Sequence, residues 1–156
     1  MPQTFRYALI GLAVFLAQWL VFGRLSVFGA TPDAVLLFVA WLGLREGRRY
    51  GLVAGFALGL LMDAATEMWG IHMFAKSLVG FLVGLFPASE RETLLIQPQQ
   101  AFAGGLVIAL MHNGIVVLFG ALTARAASLS LVTGDWIGAA VYTALVSLLA
   151  ALFLSR

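Results

Sequence analysis

Cysteine is absent, so neither a disulfide framework nor a thiolate metal site is possible, and redox chemistry says nothing about compartment. Charge is scarce. Only 10% of the residues are Asp, Glu, Lys or Arg, and the net charge of +2 is spread thinly over connecting segments, with no basic patch that would hold nucleic acid. The two histidines, His72 and His112, stand far apart in sequence, with no HExxH pattern and no carboxylate cluster around them, which leaves no metal site of recognisable spacing. No glycine-rich loop is followed by Lys-Ser or Lys-Thr, and no serine sits in a GxSxG elbow. These absences predict a protein that is not an enzyme and carries no metal or cofactor.

What is abundant is hydrocarbon. Hydrophobic residues make up 62% of the 156 positions and mean hydropathy is +1.02, against the ~45–50% apolar content of soluble domains. The bilayer is the expected solvent. Apolar runs separated by charges or turn residues predict an all-α membrane protein with six transmembrane helices, at roughly 7–23, 32–45, 50–68, 71–87, 101–123 and 134–155. The runs are continuous and not alternating, which favours helices over a barrel, since backbone polar groups in lipid must be satisfied within the segment. The first run ends without a small-residue cleavage site and contains Gln18 and Trp19, so it is expected to be a retained span. The whole chain, 1–156, is expected to form a single polytopic membrane domain, and the inner connection from Pro87 to Gln100 has no room for a soluble one.

Basic residues orient the spans. With the N-terminus inside, inner segments hold Arg6, Arg45, Arg48, Arg49, Arg91 and Arg156, and outer loops hold only Arg24 and Arg125. That bias predicts N-in and C-in topology.

One stretch stands out within the apolar background. Gly51, Gly55, Gly59, Asp63 and Glu67 follow one another at four-residue intervals, nearly one helical turn, and so share a slowly rotating ridge. The next span carries Lys76, Gly80 and Gly84 at the same interval. Folding the two helices back about Trp69 and Gly70 would set Glu67 level with His72, Asp63 with Lys76, Gly59 with Gly80 and Gly55 with Gly84. Small faces let helices approach closely in lipid, and an Asp63–Lys76 pair would relieve the cost of an intramembrane charge. The bland alternatives stay beside this one. Some four-residue spacings arise by chance among 17 glycines, Asp63 and Glu67 also fit a solvated outer interface, and an ion pair that fixes register is simpler than a proton relay.

Gln18, His112 and Asn113 lie within spans, where polar groups usually make interhelical hydrogen bonds. Thr31-Pro32-Asp33 reads as a helix start, with Thr31 as cap, Pro32 at the first helical position and Asp33 near the positive end of the dipole.

Thr31-Pro32-Asp33 before a Leu- and Val-rich span, Gly51, GFALGLLMD from Gly55 to Asp63, Gly70, and LVGFLVG from Leu78 to Gly84 together resemble the MreD family of bacterial rod-shape-determining membrane proteins. The specific part is the Pro-Asp start with the GFxxGLxxD element; length and span number agree along the chain. The resemblance implies a multi-pass protein of the bacterial inner (cytoplasmic) membrane and a non-catalytic scaffold of the cell-elongation and peptidoglycan-synthesis machinery. Its expected partner is an MreC-like single-span protein, with RodA, a class B penicillin-binding transpeptidase and the actin-like MreB as indirect associates. It also implies a fold similar to the substrate-binding subunits of energy-coupling-factor transporters, from which a second reading follows, a small-molecule (vitamin) binding subunit. For a partner helix the candidate faces are Gly104 and Gly105 in the fifth span and Gly134 and Gly138 in the sixth.

Overall fold

A computed structural model describes residues 2–68, 70–86, 97–124 and 131–154. Trp69, Arg91, Arg125, Arg156 and most of the 87–100 connection, on which parts of the turn and orientation expectations rest, lie outside the described residues. Among those described the chain is all-helical: α1 Gln3–Leu20, α2 Ala34–Glu46, α3 Arg48–Thr66, α4 Ile71–Val83, α5 Pro98–Ala124 and α6 Ala139–Leu154. A short 3-10 turn, Phe22–Arg24, follows α1, and a π-helical stretch, Leu131–Gly138, runs into α6. Between the 3-10 turn and α2, Val27 and Ala30 exchange both backbone bonds around Phe28 and Gly29, which both have positive φ.

Among the described residues, three segments are long and apolar enough to cross a bilayer: Gln3–Arg24, Pro98–Leu122 and Thr133–Phe153. The three helices between them differ in character. With 13 residues each, α2 and α4 rise about 20 Å against ~30 Å of hydrocarbon. They are shorter than the expected second and fourth spans because Asp33 caps one end of α2 and Gly47 breaks the other, and because α4 ends by Gly84. Of the described helices α2 lies deepest. Val35, Leu36, Phe38, Val39, Ala40, Leu42 and Gly43 are all buried, so it is covered on nearly every side.

Two apolar clusters flank α2. Val35, Phe38, Val39 and Leu42 pack with Leu58 of α3 and with Tyr7, Val14 and Phe15 of α1. Leu36 and Ala40 pack with Val79 and Val83 of α4, Ala109 of α5 and Ala140 of α6. By contrast α1 buries only Gly11 and Gln18 and turns Phe5, Leu9, Leu12, Leu16 and Trp19 outward. Val107, Leu118 and Leu122 of α5 and Phe153 of α6 are likewise exposed. A shell of large apolar side chains around a centre containing buried Lys, Asp and His is the arrangement that hydrocarbon solvent favours.

Successive helices run antiparallel. Gln3 and Tyr7 at the start of α1 bond Glu46 at the end of α2. Gly84 lies against Gly47 and Arg48, and Ser147 Oγ donates to the Ala101 carbonyl near the start of α5. The start of α1 and the last turns of α6 therefore share one end of the bundle, with Arg45, Arg48 and Arg49.

The glycine ridge does form a seam between α3 and α4, in a different register from the one the spacing suggests. A Cβ on Gly51 would lie 2.7 Å from Gly80 C, one on Gly55 2.7 Å from Ser77 Cα, and one on Gly59 2.5 Å from Met73 Cα. Gly80 thus meets Gly51 and not Gly59, and Gly84 meets Arg48 and not Gly55. The cause lies at the turn. α3 ends at Thr66, Glu67 and Gly70 both adopt left-handed backbone, and α4 starts beside the last turns of α3 instead of beyond its end. Gly43 of α2 completes the seam, its Cα 2.9 Å from a Cβ placed on Gly51.

Candidate functional site

At the opposite end from Arg45, a polar cluster forms among the helix ends. It starts at the Thr31-Pro32-Asp33 stretch. The helix cap is Asp33, not Thr31: Asp33 Oδ1 accepts from the Leu36 amide at 2.8 Å, and the first helical residue is Ala34. Gln18 of α1 explains the later start. Its Nε2 donates to the Pro32 carbonyl at 2.9 Å, and its Oε1 accepts from the Ala34 amide at 2.8 Å, so both faces of the carboxamide hold the entry to α2. The Asp33 amide donates to Thr143 Oγ1 at 3.0 Å, and that hydroxyl donates onward to the Ala139 carbonyl at 2.8 Å.

With one carboxylate oxygen on its own helix, Asp33 turns the other to Lys76. The Lys76 ammonium forms an ion pair with Asp33 Oδ2 and lies 3.2 Å from His112 Nε2. An ammonium has no lone pair, so His112 Nε2 accepts and the imidazole proton sits on Nδ1. That nitrogen is 2.9 Å from Asn113 Oδ1, which accepts it. Trp136 adds a further link between the π-helical stretch and α5, its Nε1 donating to the Leu110 carbonyl at 2.9 Å. Lys76, His112 and Thr143 are buried, and each has a partner. Counting backbone partners, one network joins α1, α2, α4, α5 and α6. Gln18, His112 and Asn113 all act as interhelical or cross-element glue in it.

The expected Asp63–Lys76 pair is not formed. Asp63 is fully buried, but its carboxylate accepts the Gly70 amide at 2.9 Å, the His72 amide at 2.9 Å and the Met73 amide at 3.0 Å. The first N–H groups of a helix lack intrahelical partners, and an anion there also meets the positive end of the dipole. Asp63 therefore caps α4 from across the turn, while Lys76, in α4's second turn, reaches α2. Glu67 is exposed at φ +58°, and His72 lies instead beside Gly59, its carbonyl oxygen 2.7 Å from a Cβ placed there. The His72 ring stacks on His112 with centroids 5.8 Å apart, and its Nδ1 is a buried atom without a hydrogen-bond partner. Two histidines read as unrelated in sequence thus meet in space. Among the described residues, no group of three His, Asp or Glu could hold a metal ion.

Sequence reasoning separated Asp33 from Lys76 and missed Thr143 altogether. A usable signal existed in depth: Asp33 opens α2 and Lys76 lies one turn into α4, at the same end of the bundle.

The glycines proposed as partner faces divide. A Cβ on Gly105 would lie 2.9 Å from Ser147 Cβ, and one on Gly138 3.1 Å from Ala30 Cβ, so both face neighbours within the chain. A Cβ on Gly134 would lie 3.7 Å from the Phe28 carbonyl oxygen, an ordinary contact, and one on Gly104 would meet nothing within 4 Å. Gly104 lines a half-open cavity of about 420 Å³ between α2, α4, α5 and α6 at the arginine-bearing end.

Residues 4–155 match the family model described as rod shape-determining protein MreD. No curated protein and no solved structure matches the chain.

Proposed function

Since the chain belongs to the MreD family of rod shape-determining membrane proteins, we propose that it is a non-enzymatic scaffold of the cell-elongation machinery, holding an MreC-like single-span partner by lipid-embedded contacts. RodA, the class B transpeptidase and MreB are then indirect associates. The observation that carries this reading is the family match along nearly the whole chain. The polar cluster adds support, because its charged members are spent on one another. A site for a soluble ligand needs a pocket around its polar groups. Among the described residues, neither the cavity near Gly104 nor the one near Arg48 is lined by Asp63, Glu67, His72 or Lys76, which weighs against the vitamin-binding alternative.

In this reading the chain is one polytopic domain of the bacterial inner membrane with six spans, arranged as in the substrate-binding subunits of energy-coupling-factor transporters. The antiparallel succession of helices and the arginines gathered at the end where α1 begins support N-in and C-in topology. Copurification decides between partners. The tagged chain, extracted in mild detergent, is expected to bring down an MreC-like single-span protein. Recovery of ATPase subunits with a bound vitamin instead would replace the scaffold by the transporter reading.

A further inference from the structure

The cavity beside Gly104 is apolar almost throughout. Trp41 and Leu44 of α2, Val83 of α4, Val107 of α5 and Ala151 of α6 form much of its wall, and its polar members are Gln100 and Ser147. The Ser147 hydroxyl is already spent on the Ala101 carbonyl, 2.9 Å away. A hollow so poor in polar partners does not hold ordered water, and left empty it forfeits dispersion contacts along its whole lining. Facing hydrocarbon, it fills with hydrocarbon. A single flexible alkyl chain conforms to such a hollow between packed helices and leaves its headgroup at the mouth.

Cations stand at the same end. Arg45 lies one turn beyond Trp41 on α2, its guanidinium 5.2 Å from the Trp41 ring centroid and its side chain 55% exposed. Its contact with Glu46 is long, 3.4 Å, and that carboxylate oxygen also accepts from the Tyr7 hydroxyl at 2.5 Å and Gln3 at 3.2 Å. Guanidinium donors are therefore left over for a further anion. Arg48 and Arg49 line a second, polar hollow at the same end of the bundle, with Glu46 and Tyr50.

From this apolar slot with a cationic mouth we infer that the chain carries a retained phospholipid site: one acyl chain lies in the cavity beside Gly104, and the anionic headgroup is met by Arg45 and its neighbours Arg48 and Arg49. The site needs no partner protein, so it stands or falls separately from the scaffold role. In the N-in orientation the lipid belongs to the cytoplasmic leaflet.

The test is native mass spectrometry of the purified chain after reconstitution in nanodiscs of mixed phosphatidylethanolamine and phosphatidylglycerol. The wild type is expected to keep a single phosphatidylglycerol when released into detergent. In Gly104→Phe the new ring enters open space, so lipid retention should fall about tenfold while the thermal unfolding temperature holds. Val107→Trp, which narrows the same cavity from an exposed position, should act likewise if Gly104→Phe folds poorly. Arg45→Gln should keep a lipid but lose about fivefold in preference for phosphatidylglycerol over phosphatidylethanolamine. Equal retention by wild type and both cavity variants, or a headgroup preference untouched by Arg45→Gln, overturns the site. Loss of a copurifying protein from Gly104→Phe with lipid retention unchanged also overturns it, by making the cavity a protein groove.

Discussion

Lys76 is the residue whose environment leaves least latitude. It is buried in the bundle, with Asp33 as counter-charge and His112 as acceptor. Removing one member of a buried pair leaves the other charge without compensation, typically at ~3–5 kcal/mol, against ~0–1 kcal/mol for an exposed pair. Asp33→Asn and Lys76→Met are each expected to lower thermal stability in detergent by an amount in the larger range. The double variant should lose clearly less than the sum, because neither charge is then stranded. Coupling between Lys76 and Asp63 should be smaller than between Lys76 and Asp33, and a thermodynamic cycle showing the reverse order would reassign the clasp. Asp63 has a different duty. Its replacement by Ala strips three amides at the start of α4 of their acceptor, at about 2 kcal/mol or more, and hydrogen exchange at Gly70, His72 and Met73 should accelerate before the rest of α4 responds.

At the scale of elements, the α3–α4 seam is held by backbone proximity. Because a Cβ at Gly51 would fall within 2.9 Å of Gly43 Cα and closer still to Gly80, Gly51→Ala forces two helices apart and should destabilise the fold by ~1–3 kcal/mol, the usual range for overpacking. Gly104→Ala faces open space. There the gain of helix propensity, about 1 kcal/mol in favour of Ala, is the only large term, so that variant should be neutral or slightly stabilised. Melting both variants under one detergent condition checks the contrast, and equal losses would refute the seam as drawn. This seam was legible in sequence because both of its helices are adjacent in the chain and repeat small residues at one-turn intervals. Its register was not. Register depends on where the turn begins, and three amides converging on Asp63 draw α4 back alongside α3.

Among the described residues the molecule turns large apolar side chains outward and encloses Lys76 and Asp63, with Arg6, Arg45, Arg48 and Arg49 at one end. Proposed six-span topology makes that end cytoplasmic. Cysteines introduced near Thr31 should then react with an impermeant reagent added to intact spheroplasts, and those near Gly47 only after permeabilisation; the same assay extends to Trp69 and Ser130 outside and Thr93 inside. Labelling at Gly47 from outside would invert the arrangement and move the proposed lipid to the other leaflet.

Sequence alone determined the solvent, the helical class and the family. Composition and hydropathy are sums over residues, indifferent to how the chain is folded, and the GFALGLLMD and Thr31-Pro32-Asp33 stretches are contiguous strings. Thr31-Pro32-Asp33 also announced a helix start, although it took Gln18, reaching across from α1, to place the cap at Asp33. Only the tertiary structure decided which charge meets which. Lys76 lies 43 positions from Asp33 and 36 from His112, and their meeting depends on the rotation of α2, α4 and α5 about their axes. The same holds for the cavity. Gly104 and Gly105 are neighbours in sequence, yet consecutive helical residues point about 100° apart, so one is packed against Ser147 and the other looks into empty space. Periodicity says which residues share a helix face, and packing against non-adjacent helices says what that face will touch.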